Sequence, residues 1–141
     1  MKIRLYKGGK RPEYTKPGDS AMDCFAAHDC EWKLEKGSYV ADVRLGFGCL
    51  VPKDYGLFIL SRSGQGFNHH QRLINSVGLI DNSYGLNEIR CKLKAPVDTI
   101  PKSIKKGDRV CQMVLIYTPE IFWEKAKEYI KGKEGFGSSG V

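Results

Sequence analysis

Residues 43–51, VRLGFGCLV, carry an apolar side chain at every odd-numbered position. Because successive side chains of a strand point to opposite faces of a sheet, this period of two is typical of a half-buried β-strand. The same alternation occurs at Ile3 and Leu5 and again across residues 89–95. Turn signals separate such stretches at regular intervals: KGG 7–9, KPGD 16–19, EKG 35–37, PKD 52–54 and KGD 106–108. Many short strands between regular turns predict an all-β barrel or sandwich.

The length of 141 residues suits one compact domain, and 41% apolar with 28% charged residues is an ordinary globular composition. A chain of this size buries roughly two-thirds of its unfolded surface, so folding requires neither disulfides nor a structural metal. No apolar run approaches the length of a membrane span, and the start MKIRLYKGGK lacks the apolar core of a signal peptide. We therefore expect a cytoplasmic protein without membrane association.

Five cysteines are scattered along the chain, without a C-x-x-C pair or a histidine spaced to complete a zinc site. They are Cys24, Cys30, Cys49, Cys91 and Cys111. We expect them to be reduced and mostly to serve as small core residues. The net charge of +7 favours an anionic ligand, although most of the lysines are dispersed.

Residues 119–131, PEIFWEKAKEYIK, conflict with the all-β pattern. Their apolar side chains have a helix-like spacing: Phe122, Ala126, Tyr129 and Ile130. Pro119 is well placed to begin a helix, yet helix and strand both remain open on the pattern alone. The chain ends in GKEGFGSSGV, residues 132–141, a composition typical of a frayed tail.

Asp23 is the one acid of an apolar and small-residue stretch, SAMDCFA, residues 20–26. An ionised carboxylate in such surroundings needs a charged partner or a cation. The alternative is a turn or capping aspartate, which this cluster taken alone favours.

A second polar cluster, SRSGQG 61–66, directly follows the apolar run 57–60. Arg62 supplies a planar fork of donors, Ser63 a hydroxyl, and Gly64 allows backbone N–H groups to approach an anion closely. That combination suits phosphate. An ordinary solvated turn is the alternative.

Asp81 follows two large apolar residues within NSVGLIDNSYG, residues 75–85, which has the pattern of a hairpin. Such surroundings can hold a carboxylate beside a water molecule, where it acts as a general base. Tyr84 could present its ring to a sugar or base. A hairpin turn with a packed Tyr84 is an equally supported alternative.

Gln112 is a polar residue in the strand that follows the turn at Gly107. A glutamine there must be hydrogen-bonded or exposed. We interpret Asp108 and Arg109 as a turn residue and a surface-pair residue. The adjacent His69 and His70 lack a third ligand at useful spacing, so we interpret them as exposed loop residues.

Taken in order, these clusters and the tail resemble the five motifs of the homotrimeric dUTPase family. SAMDCFA 20–26 is similar to A-G-x-D-L, SRSGQG 61–66 to P-R-S-G, and NSVGLIDNSY 75–84 to N-x-x-G-x-I-D-x-x-Y. GDRVCQMV 107–114 resembles G-x-R-[IV]-x-Q, and GKEGFGSSG 132–140 resembles R-G-x-G-G-F-G-S-T-G. Five motifs in the right order across nearly the whole chain make coincidence implausible.

The resemblance implies a jelly-roll-like β-barrel domain over residues 1–130. It also implies an extended C-terminal arm, rather than a helix, for part of residues 121–130. Residues 131–141 would then be a glycine-rich tail that closes over a nucleotide and typically reaches a neighbouring subunit's site.

The implied activity is the hydrolysis of dUTP to dUMP and pyrophosphate, which limits uracil incorporation into DNA. Asp81 would be the general base that activates water for attack on the α-phosphorus. Asp23 would bind, through water, a Mg²⁺ chelated by the triphosphate. The residues that would grip the phosphates are Arg62, Ser63, Gly64 and Gln112.

The third motif would form the uracil-binding hairpin. Asn75, Gly78 and backbone groups of Leu79, Ile80 and Asp81 would contact the base, and Tyr84 would pack under the deoxyribose. From the tail, Phe136 would stack on the base, Ser138 and Ser139 would bind the γ-phosphate, and Gly137 and Lys131 would also contact the nucleotide. The sequence departs from the family pattern where Ala21 replaces a glycine, Lys131 replaces an arginine, and Glu134 interrupts a glycine pair. The stretch GLNEI, residues 85–89, is also longer than the usual R-G-E-I.

We expect a homotrimer with shared active sites, a phage or bacterial member of the family, in the host cytoplasm if viral, with no stable nucleic-acid binding. One alternative is an enzyme related to dCTP deaminase, which shares the barrel and the phosphate motifs. It is disfavoured because both the Asp-x-x-Tyr element and the Phe-Gly-Ser tail are present. Another is a phage regulatory module that binds a protein partner and is switched by dUTP.

Overall fold

The structure is a computed structural model that describes residues 1–128 and Gly132. In that part of the chain ten strands, one short α-helix and one 3-10 helix follow in order. The strands are β1 Lys2–Leu5, β2 Met22–Phe25, β3 Lys33–Glu35, β4 Ser38–Arg44, β5 Phe47–Leu50, β6 Tyr55–Leu60, β7 Arg72–Leu73, β8 Val77–Ile80, β9 Arg90–Pro96 and β10 Arg109–Tyr117. Helix α1 is Ser63–His69, and the 3-10 helix is Asn82–Tyr84.

The strands pair antiparallel into three sheets: β1-β5, β2-β10-β6-β8 and β3-β4-β9-β7. The all-β prediction is therefore confirmed. The pairing of the described residues does not join the three sheets into one closed ladder.

One apolar core joins all three sheets, and the stretch 43–51 lies at its centre. Val43, Leu45, Phe47 and Val51 have no measurable exposure. The alternation predicts one continuous strand, but Gly46 adopts a φ of +70° and the chain divides into β4 and β5. A side chain at Gly46 would overlap Gly9, so glycine is needed both for the backbone angle and for the close approach.

Most of the cysteines are small core residues, as the sequence predicts. Four are buried and Cys30 is half-buried, and all five are free thiols. Cys24 and Cys111 are directly opposite each other in the β2–β10 ladder. Burial raises the pKa of the Cys49 thiol and keeps it protonated.

Helix α1 is not predicted by the sequence pattern, because Gly64 and Gly66 lower helix propensity and none of its residues is buried. The helix begins directly after β6, with Arg62 as its extended N-cap residue. It ends at His70, whose φ of +51° lies in the left-handed region.

Residues 119–128 contain neither helix nor strand. The helical spacing there has no surface to pack against, since Ile121, Phe122 and Trp123 are all strongly exposed. The predicted tail contacts of Lys131, Phe136, Gly137, Ser138 and Ser139 lie outside the described residues. Within the described part of the chain, no helix has the length and apolar character needed to cross a membrane.

Candidate active site

Asp23 lies within β2, in the ladder that joins β2 to β10, directly opposite Gln112. Its backbone also exchanges hydrogen bonds with Glu13, at 2.9 and 3.2 Å, which holds the preceding loop against this strand. The alternative of a turn or capping aspartate is therefore wrong, because the residue is part of a sheet.

The carboxylate of Asp23 is the centre of an ion cluster. Its Oδ1 accepts a hydrogen bond from Arg62 Nε at 2.9 Å, and its Oδ2 accepts bonds from Thr15 Oγ1 at 2.7 Å and Arg109 Nη1 at 3.3 Å. Only 13% of the Asp23 side chain is exposed. Burial raises its pKa, but the hydrogen bonds and the charge of Arg62 outweigh burial and hold the pKa below its ordinary value. Asp23 is therefore ionised at neutral pH.

A cavity of about 410 Å³ opens beside this cluster. It brings together four residues that the sequence identifies as candidates: Asp23, Arg62, Ser63 and Gln112. Gly64 instead lines an adjoining cavity that shares Arg62. The β-ladders explain the convergence, since Gln112 is opposite both Asp23 on β2 and Leu60 on β6, just before Arg62.

The sequence does not identify the whole cavity wall. The other lining residues are Thr15, Lys16 and Asp19 of the preceding loop, Ser20 and Ala21 of the first motif, and Arg109. The turn signal KPGD marks this loop but does not show that it folds back beside Asp23. Arg109 is an ion-pair residue as predicted, but its partner is Asp23 and not a surface group. Asp108 is the turn residue expected, because its Oδ2 accepts a bond from the Lys105 N–H at 2.9 Å.

The charge of the cavity suits an anion. Arg62 and Arg109 are both held by Asp23, whereas the Lys16 side chain forms no ion pair with any described residue. The Lys16 backbone N–H donates to Asp19 Oδ2 at 2.8 Å, which fixes the turn. Guanidinium, ammonium and hydroxyl donors facing one volume form a phosphate-binding arrangement.

The third motif forms strand β8, which pairs with β6, and a second cavity of about 360 Å³ opens on it. Asn75, Gly78, Leu79 and Ile80 all line this cavity. A Cβ at Gly78 would lie 3.1 Å from the Ile59 side chain and 3.9 Å from Asn75 Nδ2. Glycine therefore keeps the space beside the Asn75 amide open.

Asp81 follows β8 and is fully exposed, where it caps the 3-10 helix. Its Oδ1 accepts hydrogen bonds from Ser83 N at 2.9 Å and Ser83 Oγ at 2.5 Å. The Ser83 hydroxyl is the main reason that the pKa of Asp81 lies below its ordinary value. The carboxylate is therefore ionised near neutral pH, and Oδ2 retains capacity to accept a further hydrogen bond.

The ring of Tyr84 is half-buried against the core, and its hydroxyl donates to Glu88 O at 2.9 Å. Tyr84 is thus packed, as the alternative interpretation predicts. The predicted hairpin is not formed within residues 75–85, because they contain the single strand β8, which pairs with β6. His69 and His70 are exposed, as predicted. Among the described residues, no group of three or more His, Cys, Asp and Glu side chains converges as a metal site.

The two halves of the candidate site lie at opposite ends of β6. Val77 is opposite Leu60 and Ile80 is opposite Leu57, so Asp81 continues towards the start of β6 while Arg62 follows its end. Six residues of extended strand separate these levels by roughly 20 Å. One copy of the chain therefore does not bring Asp81 to the cavity that contains Arg62.

A protein-family model matches this chain and shows its family. The dUTPase family model matches residues 8–140, nearly the whole chain. The chain belongs to the dUTPase family.

This dUTPase is 32% identical over 143 residues to the deoxyuridine 5'-triphosphate nucleotidohydrolase of Desulfitobacterium hafniense, in a match that covers 99% of this chain and 93% of the relative. The activity of this dUTPase is the hydrolysis of dUTP.

Solved structures of phage enzymes share the fold. The dUTPase of Staphylococcus bacteriophage 80alpha with dUPNHPP aligns with a TM-score of 0.76 at 22% identity, covering 99% of this chain and 98% of that one. A mutant dUTPase of phage phi11 of S. aureus, described with a structural Mg(II) ion, gives 0.72 at 19% identity, covering 92% and 98%. At these identities the likeness supports the fold of this dUTPase.

Proposed function

We propose that this dUTPase cleaves dUTP at sites that two copies of the chain share, in a homotrimer. One copy supplies the cavity around Arg62, and a neighbour supplies strand β8 with Asp81 after it. The observation that carries this proposal is the separation of roughly 20 Å between the two ends of β6. A general base must lie within hydrogen-bond reach of its water. Strand β8 of a neighbouring copy therefore has to complete the site.

In the cavity, Arg62, Ser63 and Gln112 bind the triphosphate, with Gly64 at the start of the adjacent helix. Arg62 is prepared for this role because Asp23 holds its Nε and Arg109 O accepts a bond from its Nη1 at 3.3 Å, which leaves Nη2 for the ligand. Lys16 adds a cation that no described carboxylate engages. These charges neutralise the phosphates and the developing charge on the leaving pyrophosphate.

The donor set also fits a magnesium ion that arrives with the substrate. Two carboxylates, Asp19 and Asp23, line the cavity, and Mg²⁺ is commonly held by one or two carboxylates, several waters and substrate phosphates. Asp23 would hold it through water, since both of its oxygens already accept hydrogen bonds. When bound, the ion supplies charge neutralisation across the phosphates.

Asp81 removes a proton from a water molecule as the water oxygen attacks the α-phosphorus. The bond between this phosphorus and the oxygen that bridges to the β-phosphorus breaks, and pyrophosphate leaves with the bonding electron pair. The products are dUMP and pyrophosphate. Asp81 is exposed and ionised, and the ionised carboxylate is the protonation state that this step requires.

The cavity that opens on β8 provides selection for the uracil base. Asn75 offers both an amide donor and a carbonyl acceptor, and the backbone of Leu79 and Ile80 offers further polar groups beside the open face of Gly78. Polar groups that pair with one base edge discriminate more strongly than apolar contacts. Tyr84 provides a rigid ring under the sugar, because its hydroxyl is fixed by Glu88.

The tail completes the proposal. Residues 131–141 would close over the nucleotide, with Phe136 stacked on uracil and with Ser138 and Ser139 at the γ-phosphate. Lys131 and Gly137 would also contact the nucleotide. Closure of this kind excludes water from the reacting groups. The site belongs to a cytoplasmic enzyme of nucleotide metabolism.

Mixed assemblies test the shared site. Asp81→Asn and Arg62→Gln chains are each expected to be nearly inactive alone, whereas random co-assembly in equal amounts restores about a quarter of the wild-type sites. Pyrophosphate release from dUTP is measured after co-expression of the two differently tagged chains. Each variant co-expressed with itself is the control. No recovery in verified mixed assemblies would contradict the shared site, and ammonia release from dCTP would instead indicate a deaminase.

A further inference from the structure

A further cavity is lined by none of the residues in the five sequence motifs. It has a volume of about 630 Å³ and opens on the sheet β3-β4-β9-β7. Its polar lining includes Ser38 on β4, Arg72 on β7, Lys94 on β9, His70, and Asp98 and Thr99 after β9. A mononucleotide-sized ligand fits such a volume.

Arg72 and Lys94 are directly opposite each other in the β7–β9 ladder, and both line the cavity. Like charges in directly opposed positions destabilise a sheet. Neither side chain forms an ion pair with any described residue. The fold therefore keeps two uncompensated cations side by side at the wall of a cavity.

The other two cations of β9 on the same face are handled differently. Arg90 Nη2 is 2.6 Å from Asp42 Oδ2, and Lys92 Nζ is 3.1 Å from Glu35 Oε2. These two β9 charges, which lie outside this cavity, are thus neutralised by carboxylates on other strands of the sheet. Lys33 on β3 also lies on this face without an ion pair, but it does not line the cavity. Among the described lysine and arginine side chains of the cavity wall, Arg72 and Lys94 are left for a ligand to neutralise.

We propose that this cavity is a second anion site, which binds a small phosphorylated anion of the diphosphate class. Arg72 offers the planar fork that matches two phosphate oxygens, and Lys94 offers a point charge about 5 Å across the ladder. The Ser38 hydroxyl adds a neutral donor, whereas the Thr99 hydroxyl donates to Asp98 Oδ1 at 3.4 Å. Asp98, the carboxylate of the lining, repels an anion and so directs it towards the cationic pair.

Inorganic pyrophosphate is the probe, and amide NMR shifts of the full-length wild-type protein are the readout. Saturable shifts are expected at residues 70–73 and 94–99, separately from any shifts at residues 15–23 and 109–112 of the first cavity. Orthophosphate should bind the same residues more weakly, because it spans only one of the two cations. Pyrophosphate shifts confined to the first cavity would overturn the proposal.

A variant series separates binding from folding. Combined Arg72→Gln and Lys94→Gln should weaken pyrophosphate binding at residues 70–73 and 94–99 about tenfold or more. The Tm without ligand should rise or stay level, because repulsion is removed. Lys92→Gln is the matched control on the same strand and face, and it should keep wild-type affinity. Equal weakening by Lys92→Gln would show that net charge, rather than this pair, attracts the anion.

Discussion

The two carboxylates proposed for catalysis have opposite surroundings. Asp23 is largely buried and accepts bonds from Thr15, Arg62 and Arg109. Asp81 is fully exposed, and its two side-chain bonds both come from the next residue but one. The contrast shows which half of the site one chain can build alone. A phosphate cavity needs charges that are fixed in advance. A general base at the end of a strand needs only to be presented to another molecule.

The largest expected effect is the loss of turnover in Asp81→Asn. The amide keeps the shape of the carboxylate but accepts no proton, so kcat should fall about 10²- to 10⁴-fold. Affinity for a non-hydrolysable dUTP analogue should change little, because Asp81 is proposed to contact the attacking water, whereas the Arg62 cavity binds the phosphates. Pyrophosphate release and calorimetric binding provide the two readouts. Wild-type kcat in this variant would remove Asp81 from the mechanism.

Asp23→Asn should differ from Asp81→Asn, because it should affect the stability of the fold as well as ligand binding. The change leaves Arg62 and Arg109 without their counter-charge, and a cost of about 1–3 kcal/mol in unfolding free energy is expected. Denaturant unfolding at pH 7 measures it. Asp19→Asn is the matched control, a carboxylate in the same cavity that forms no ion pair with a described residue. Equal destabilisation by both variants would contradict the central role of the Asp23 cluster.

The same cluster predicts a pH dependence of stability. The folded-state pKa of Asp23 lies below the ordinary 3.8, so its contribution is fully present above that value. The contribution is lost as the pH falls from about 3.8 through the folded pKa. Unfolding free energy measured from pH 6 downward should therefore fall more steeply in the wild type than in Asp23→Asn. Parallel curves would show that Asp23 has no perturbed pKa.

Gly78→Ala tests the cavity that opens on β8 and should act mainly on KM. The added methyl would lie 3.1 Å from Ile59 and intrude on the space beside Asn75. We expect the KM for dUTP to rise several-fold to about tenfold, with kcat within about twofold, since uracil binding is lost while the base and phosphates stay aligned. Gly85→Ala is unsuitable as a control because Gly85 has a φ of +63°, whereas Val77→Ala, on the same strand as Gly78, is suitable. An unchanged KM in Gly78→Ala would place uracil elsewhere.

Ser83→Ala should have the smallest effect. It removes the hydroxyl bond that contributes most to the lowered pKa of Asp81, so this pKa should rise towards its ordinary value. The acidic limb of the kcat/KM profile should consequently move to higher pH, while the rate at neutral pH changes little. An unmoved limb would indicate that another group controls it.

Much of the fold could be predicted from local pattern. The period of two identifies β4, β5 and β9, because burial on one face imposes it residue by residue. The break at Gly46 could not be predicted, since it depends on the close approach of Gly9, a residue distant in sequence. The helical spacing after Pro119 misleads for a related reason: periodicity indicates a helix only where there is a surface to cover.

The candidate site shows the same division. Asp23, Arg62 and Gln112 could be identified as site residues because each is a polar group in an apolar setting. Their convergence depends on strand register, and so does the roughly 20 Å that separates Arg62 from Asp81. No local pattern encodes a register. Lys16 cannot be identified from the sequence, because its loop has the composition of any solvated turn.

The length of β6 has a kinetic consequence. A paired strand is nearly inextensible, so in the proposed shared site no internal motion of one copy can replace the neighbour that would present Asp81. Specific activity should therefore decline on dilution in step with dissociation of the assembly, even while each monomer remains folded. Expression level would then set catalytic output more steeply than in proportion to the number of chains.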